Sequence, residues 1–273
     1  MNENENDQFN RDGQFTDYSQ PENDIRYTNY DQYSNWNNEA GEVNINGTTG
    51  ISTKEGLAAY TGKTFLWMFA GLVITFITAY LFVRTGYVFM LYNSSIAFLA
   101  LPVAEVAVVF ALGLAINKIS PAVASFLFIF YSILTGLTFS EIFIAFDAVT
   151  VIFVFCISAA YFGIMAAISL IFKVRLNGIA NFILGALIML IVMEIIGMFV
   201  PGLNKFICLV GIAIFSGCTA YDTSKIKDQY EAYSGNEVLL KKASIISALN
   251  LYLDFINIFI YLLRLFGGSS SRK

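Results

Sequence analysis

Hydrophobic residues show no period over residues 1–55 and become nearly continuous from about residue 64, where apolar runs alternate with short polar breaks. A membrane span needs about 20 predominantly apolar residues. Seven runs approach or reach that length: Thr64–Val83, Ile96–Ile116, Ala122–Phe143, Val149–Phe172, Ile179–Val200, Phe206–Tyr221 and Ile245–Phe266. The sixth is short, and it lengthens if Asp222 sits inside the protein with the helix continuing through Thr223 and Ser224. Ser120-Pro121 predicts a helix start, a capping serine followed by proline in the first turn. Pro201-Gly202 predicts a break between the fifth and sixth runs. The expected fold class is all-α, a polytopic membrane protein built as a seven-transmembrane-helix bundle.

Composition strengthens this reading. The chain is 57% hydrophobic and 13% charged, with mean hydropathy +0.65, whereas about a quarter of a soluble domain is charged. One soluble core of this size cannot hide that much apolar surface. Histidine is absent and only Cys156, Cys208 and Cys218 are present, all in apolar stretches. The commonest acid–base catalyst is therefore missing, and neither a zinc site nor a disulfide framework is expected.

The net charge of −4 averages two unlike parts. Residues 1–55 carry eleven acidic side chains against Arg11, Arg26 and Lys54, and the remainder carries nine acidic against thirteen basic. The first segment, rich in asparagine, buries too little apolar surface to offset the entropy of ordering, so residues 1–55 read as a disordered acidic tail. It has no signal-peptide pattern. Asn46-Gly47-Thr48 matches a glycosylation sequon, without meaning if the tail is cytoplasmic. Residues 56–267 form the membrane domain and 268–273 a short C-terminal tail. Nothing resembles a basic nucleic-acid face. With the N-terminus inside, nine Lys and Arg fall on inner loops and five on outer ones, which favours a cytoplasmic N-terminus. The lipid bilayer is the first expected partner, a bacterial plasma membrane or, in a eukaryote, the endoplasmic reticulum.

Glu105, Glu194 and Asp254 lie well inside apolar runs, and Asp222 and Glu141 near run ends. A charged side chain at the bilayer centre costs about 2.5–3.5 kcal/mol on insertion scales, so each must be paired, protonated or in contact with water. Ser247, Asn250, Asp254, Asn257 and Tyr261 are spaced by three or four residues and share one stripe of the seventh helix. Such a stripe turns into the bundle or a wet cavity; its asparagines and serine also suit plain interhelical packing. If Asp222 and Asp254 approach each other, like-charge repulsion makes them share a proton. Glu105 follows Pro102, a helix-kinking residue, by three positions. Glu194 has no polar period around it and reads as half of a structural pair.

Ala220-Tyr221-Asp222-Thr223, the run from Ser247 to Asn257 containing Leu-Tyr-Leu-Asp-Phe-Ile-Asn, and Leu262-Leu263-Arg264 resemble the Bax inhibitor-1 family, and its bacterial members in particular. The resemblance covers about residues 60–267. It implies a bundle with the last helix at its centre and a calcium leak that responds to pH. It also implies a proton-sensing pair that maps onto Asp222 and Asp254, a basic latch whose nearest match is Lys118, and an acidic residue of the second helix matched by Glu105.

The expected function is therefore a non-enzymatic, pH-sensitive calcium leak. Its pH sensor is Asp222 with Asp254, its latch candidate Lys118, and its pathway candidates Glu105, Asn250 and Asn257. Calcium takes oxygen ligands, which these carboxylates and amides supply, so Asp222 and Asp254 are also the expected calcium contacts. No cofactor is expected beyond the permeant ion. A second reading is a regulator that binds a membrane protease or a stress or cell-death partner through the flexible tail. A remote third is an intramembrane aspartyl protease, with two aspartates activating water. Against it, Asp254 follows Leu251-Tyr252-Leu253 where that class has Gly-x-Gly, and no Pro-Ala-Leu motif occurs.

Overall fold

The computed structural model describes residues 49–93, 95–115, 118–172, 179–200 and 202–267. The acidic segment 1–48, with its sequon, and the C-terminal residues 268–273 lie outside them. Eight helices run through the described residues: α1 (Thr49–Thr85), α2 (Tyr87–Tyr92), α3 (Ser95–Ala115), α4 (Pro121–Ala145), α5 (Ala148–Phe172), α6 (Ala180–Gly197), α7 (Asn204–Tyr233) and α8 (Glu237–Phe266).

Six of these, α1 from Gly56 onward and α4 to α8, are long and apolar enough to cross a membrane. The apolar part of α3, Ala100–Ala115, is shorter than a span. The chain is thus an all-helical, multi-pass membrane protein with six candidate spans among the described residues, against an expectation of seven. α7 passes straight through Asp222 and on to Tyr233, so the short sixth run lengthens as the sequence predicts.

Local chemistry sets the breaks. Ser120 is extended (φ −77°, ψ 159°) and its hydroxyl accepts from Val123 N at 3.3 Å, with Pro121 opening α4. Asn236 does the same for α8, accepting from Leu239 N at 3.1 Å. Between α6 and α7 the chain turns at Gly202, whose φ of +92° lies where a side chain would be strained. Asp147 opens α5, accepting from Thr150 N at 2.9 Å and from the Thr150 hydroxyl. Those two bonds hold its carboxyl below the usual carboxylate range. Asp147 is therefore the cap of α5.

The last helix is the axis of the packing. In its most apolar window 72% of residues are buried, against 6% for α6. α8 packs on α4, α5 and α7, and hydrogen bonds tie it to α1, where Thr64 meets Ser244 at 3.0 Å and Thr75 meets Tyr252 at 2.6 Å. Rings fill the space between: Phe76 of α1 stands edge-on to Phe155 of α5 at 4.5 Å and to Phe259 of α8 at 5.7 Å. Apolar side chains point the other way on α5 and α6, where Phe153, Phe182 and Ile191 are exposed. A helix that buries little and exposes aliphatic side chains is solvated by lipid rather than water.

Candidate functional site

α8 carries its polar stripe onto the side facing α6 and α7. Asn250, Asp254, Asn257 and Tyr261 all line one cavity of about 740 Å³. α7 contributes Phe215, Cys218, Tyr221 and Asp222, and α6 contributes an aliphatic wall. At 1.5 Å per residue the stripe from Asn250 to Arg264 runs about 21 Å, two-thirds of a hydrocarbon core. Ser247, the first stripe residue, leaves the cavity and donates to Gln229 of α7. Tyr261 is seated by Gly211 of α7: a Cβ there would stand 2.5 Å from the ring, so only glycine lets the two helices close at this level.

Asp222 and Asp254 come together in this cavity, from adjacent helices. Asp254 is 4% exposed, has Thr219 as a neighbour, and its Oδ2 finds no hydrogen-bond partner among the described residues. A buried acceptor left without a partner is expensive in hydrocarbon surroundings. Asp222 is only half-buried and faces Asn250 and Lys225. Lys225 also sits over the Tyr221 ring, 4.3 Å from its centroid. Asn257 spends its amide N–H on Leu253 O, 2.8 Å away in its own helix, which leaves its carbonyl oxygen as the free acceptor.

The other sequence-predicted residues lie elsewhere. Lys118 is exposed in the turn between α3 and α4 and pairs with no carboxylate among the described residues; the basic neighbour of Asp222 is Lys225. Glu105 is half-buried on α3, accepts from the Thr138 hydroxyl of α4, and faces Tyr131 and Tyr252. It therefore belongs to a second polar cluster, on the α1–α4 side of α8. Among the described residues no three His, Cys, Asp or Glu side chains gather as a metal site. The cavity offers Asp222, Asp254, scattered amides and a third carboxylate, Glu194, that is already paired with Arg264, fewer free charges than a high-affinity calcium cage uses.

Sequence reasoning missed Arg264 as a cavity residue. It continues the stripe, three residues beyond Tyr261, and its Nη1 donates to both carboxylate oxygens of Glu194 at 2.9 and 3.2 Å. The partner expected for Glu194 is thus found across the groove on α8. A second cavity of about 660 Å³ adjoins at this ion pair, sharing Glu194, Met198 and Arg264 and adding Asn204, Lys205 and Cys208.

Comparison with known proteins agrees with this architecture. Residues 57–271 match the family model described as inhibitor of apoptosis-promoting Bax1. The chain is 35% identical over 222 residues to the inner membrane protein YbhL of Escherichia coli K12, covering 80% of this chain and 95% of that protein. It is 37% identical over 218 residues to an uncharacterized protein of Deinococcus radiodurans, covering 78% and 92%. A Borreliella burgdorferi protein, also uncharacterized, is 32% identical over 211 residues, covering 76% and 91%.

Proposed function

We propose a function from two premises: the chain belongs to the Bax inhibitor-1 family, and its polar stripe and two carboxylates line one intramembrane groove. The reading is a pH-modulated cation leak, with calcium as the permeant ion and the groove between α6 and α8 as the pathway. In this reading α3 completes a seven-span topology with the N-terminus on the cytoplasmic side of a bacterial plasma membrane. The observation that carries it is Asp254, a buried carboxylate with an unpartnered oxygen, beside Asp222 and facing a cavity. A structural aspartate is normally satisfied by its neighbours; this one keeps an oxygen free.

The groove suits passage better than storage. Its oxygen donors are spread along α8 at Asn250, Asp254 and Asn257 rather than gathered in a cage, and an ion that must leave needs weak, successive sites. Asp222 with Lys225 at its side forms the inner counter-charge in this state. Protonating the aspartates removes the negative charge that attracts both a cation and the lysine, so pH shifts the balance between two arrangements of the groove. Lys118 enters such a scheme only in an arrangement that moves the α3–α4 turn.

Calcium flux into proteoliposomes across about pH 5–8, the range over which perturbed carboxylates titrate, tests this. The parent is compared with Asp254→Asn and Asp222→Asn. A flux in the parent whose pH dependence flattens in either variant is the expected result. No flux above empty liposomes with correctly folded protein refutes the channel reading. It then directs attention to binding partners, including the membrane protease or stress-signalling protein of the second reading.

A further inference from the structure

Among the described residues the groove is lined by α6, α7 and α8, and the α6 side of it is accessible from outside the bundle. The α6 wall is aliphatic apart from Glu194, and three of its groove-lining residues stay accessible: Ile191 is 60% exposed, Ile195 54% and Met198 82%. Only Leu190 and Gly197 of α6 are buried. Water gains nothing against such a wall, and a hydrocarbon chain does. At one end the trough meets the second cavity, which holds Lys205 and Arg264 against the single carboxylate Glu194, a local balance of 2 − 1, or +1. Lys205 is the second residue of α7, directly after the α6–α7 turn, where a span leaves the hydrocarbon for the headgroup layer. Arg264 engages Glu194 through Nη1 alone, leaving the rest of its guanidinium donors available.

An elongated trough, aliphatic along α6 and polar along α8, ending in a small cationic basin at headgroup level has the shape and charge of one kind of ligand. We propose that the groove between α6 and α8 binds an anionic glycerophospholipid of the surrounding bilayer, with an acyl chain along the α6 wall and the phosphate at Lys205 and Arg264. The net positive basin favours an anionic headgroup over a zwitterionic one, whose own ammonium would meet two cations. The acyl chain covers the accessible α6 side of the groove and seals the polar stripe of α8 from bulk lipid. Lipid occupancy and ion passage therefore concern the same groove, but binding is measured without flux, so failure of one reading leaves the other standing.

The full chain in a neutral detergent is followed by thermal unfolding while phosphatidylglycerol or phosphatidylcholine of identical acyl chains is added. The expected result is a saturable rise in melting temperature with phosphatidylglycerol and little or none with phosphatidylcholine. Lys205→Gln weakens the apparent affinity about fivefold to tenfold, the scale of one basic contact at a membrane surface. Ile191→Trp, which fills the trough, removes the effect while leaving the headgroup basin intact. Inorganic phosphate alone gives no shift. Three results overturn the proposal: equal stabilisation by both lipids, a phosphatidylglycerol effect unchanged in both variants, or full reproduction of the shift by phosphate. Should Ile191→Trp fail to fold, the Lys205→Gln titration decides alone, since that side chain is exposed at the membrane edge.

Discussion

Tyr252 is the most consequential side chain on the face of α8 opposite Asp254, and removing its hydroxyl gives a prediction whose size follows from geometry. Tyr252 is fully buried, and its OH lies 2.6 Å from the Thr75 hydroxyl. Thr75 has one proton to give, and two carbonyls compete for it: Ser132 O at 2.9 Å and Gly71 O at 3.0 Å. Tyr252 must therefore be the donor to Thr75. Tyr252→Phe deletes that donor but leaves Thr75 bonded to a carbonyl. Thr75→Val deletes the acceptor and strands the tyrosine hydroxyl in the core.

Side-chain hydrogen bonds between membrane helices average about 0.6 kcal/mol, with a maximum near 1.7, because the unfolded helices find partners of their own. A short bond at a fully buried site belongs at the upper end, so Tyr252→Phe costs about 1 kcal/mol. Thr75→Val costs about 1–3 kcal/mol, because a stranded donor loses solvation as well as its bond. The double variant costs clearly less than the sum, since with both groups gone nothing is left unsatisfied. Reversible unfolding of the four proteins in mixed micelles closes this cycle. Additivity within about 0.3–0.5 kcal/mol would mean the two hydroxyls do not interact, and the assignment of α1 to α8 at this level would be wrong.

Two further outcomes test the packing around the site. Gly211→Ala forces a Cβ against the Tyr261 ring at 2.5 Å, so α7 and α8 must separate at a cost of about 1–3 kcal/mol, read as lower thermal stability; Gly217→Ala, where a Cβ meets nothing within 4 Å, is the silent control. At the start of α5, Thr150→Ala removes the hydroxyl that does most to hold the Asp147 carboxyl below its usual range. The Asp147 titration, followed by NMR, should move up towards the ordinary carboxylate value. The sign is fixed by linkage: a carboxyl held low in the folded state contributes stability above its unfolded value and loses it as pH falls through the folded one. An unmoved titration would show that the Thr150 hydroxyl does not bond the Asp147 carboxylate.

The helices were legible because lipid simplifies the grammar of a chain. Backbone groups in hydrocarbon must bond within their own helix, so seven apolar runs translate into seven long helices, of which six meet the length of a span. Several extra turns of helix did not show in the runs. α1 begins at Thr49 rather than near Thr64, and α2 is a six-residue helix after Gly86, whose φ is +76°. The start of α1 is a polar, mixed stretch with no apolar run to mark it, and α2, though apolar, is far too short to read as a span. The stripe on α8 was legible for a different reason: polar residues are scarce there, and a spacing of three and four leaves one face for them. Arg264 obeys the same spacing and was hidden only by its place near the helix end. The pairing of Glu194 with Arg264, seventy positions apart, has no local signal at all.

The two polar faces of α8 differ in a way that bears on any movement of the groove. Towards α1 and α4 the helix is locked: Tyr252 and Ser244 bond to α1, Tyr252 stands edge-on to Phe128 and Tyr131, and Phe259 meets Phe76. Towards α6 the described residues show one salt bridge, Glu194–Arg264, whose side chains are 36% and 52% exposed. A single half-exposed ion pair holds weakly compared with a packed aromatic core. A change of charge at Asp222 and Asp254 therefore acts on the looser boundary. Because α8 is held on its other side by buried rings and hydrogen bonds, α6 is the element that the proposed pH response would displace. The same looseness leaves the aliphatic wall of α6 open to the bilayer, so in the proposed leak the width of the groove would answer both to the protonation of two aspartates and to the hydrocarbon lying against Ile191 and Ile195.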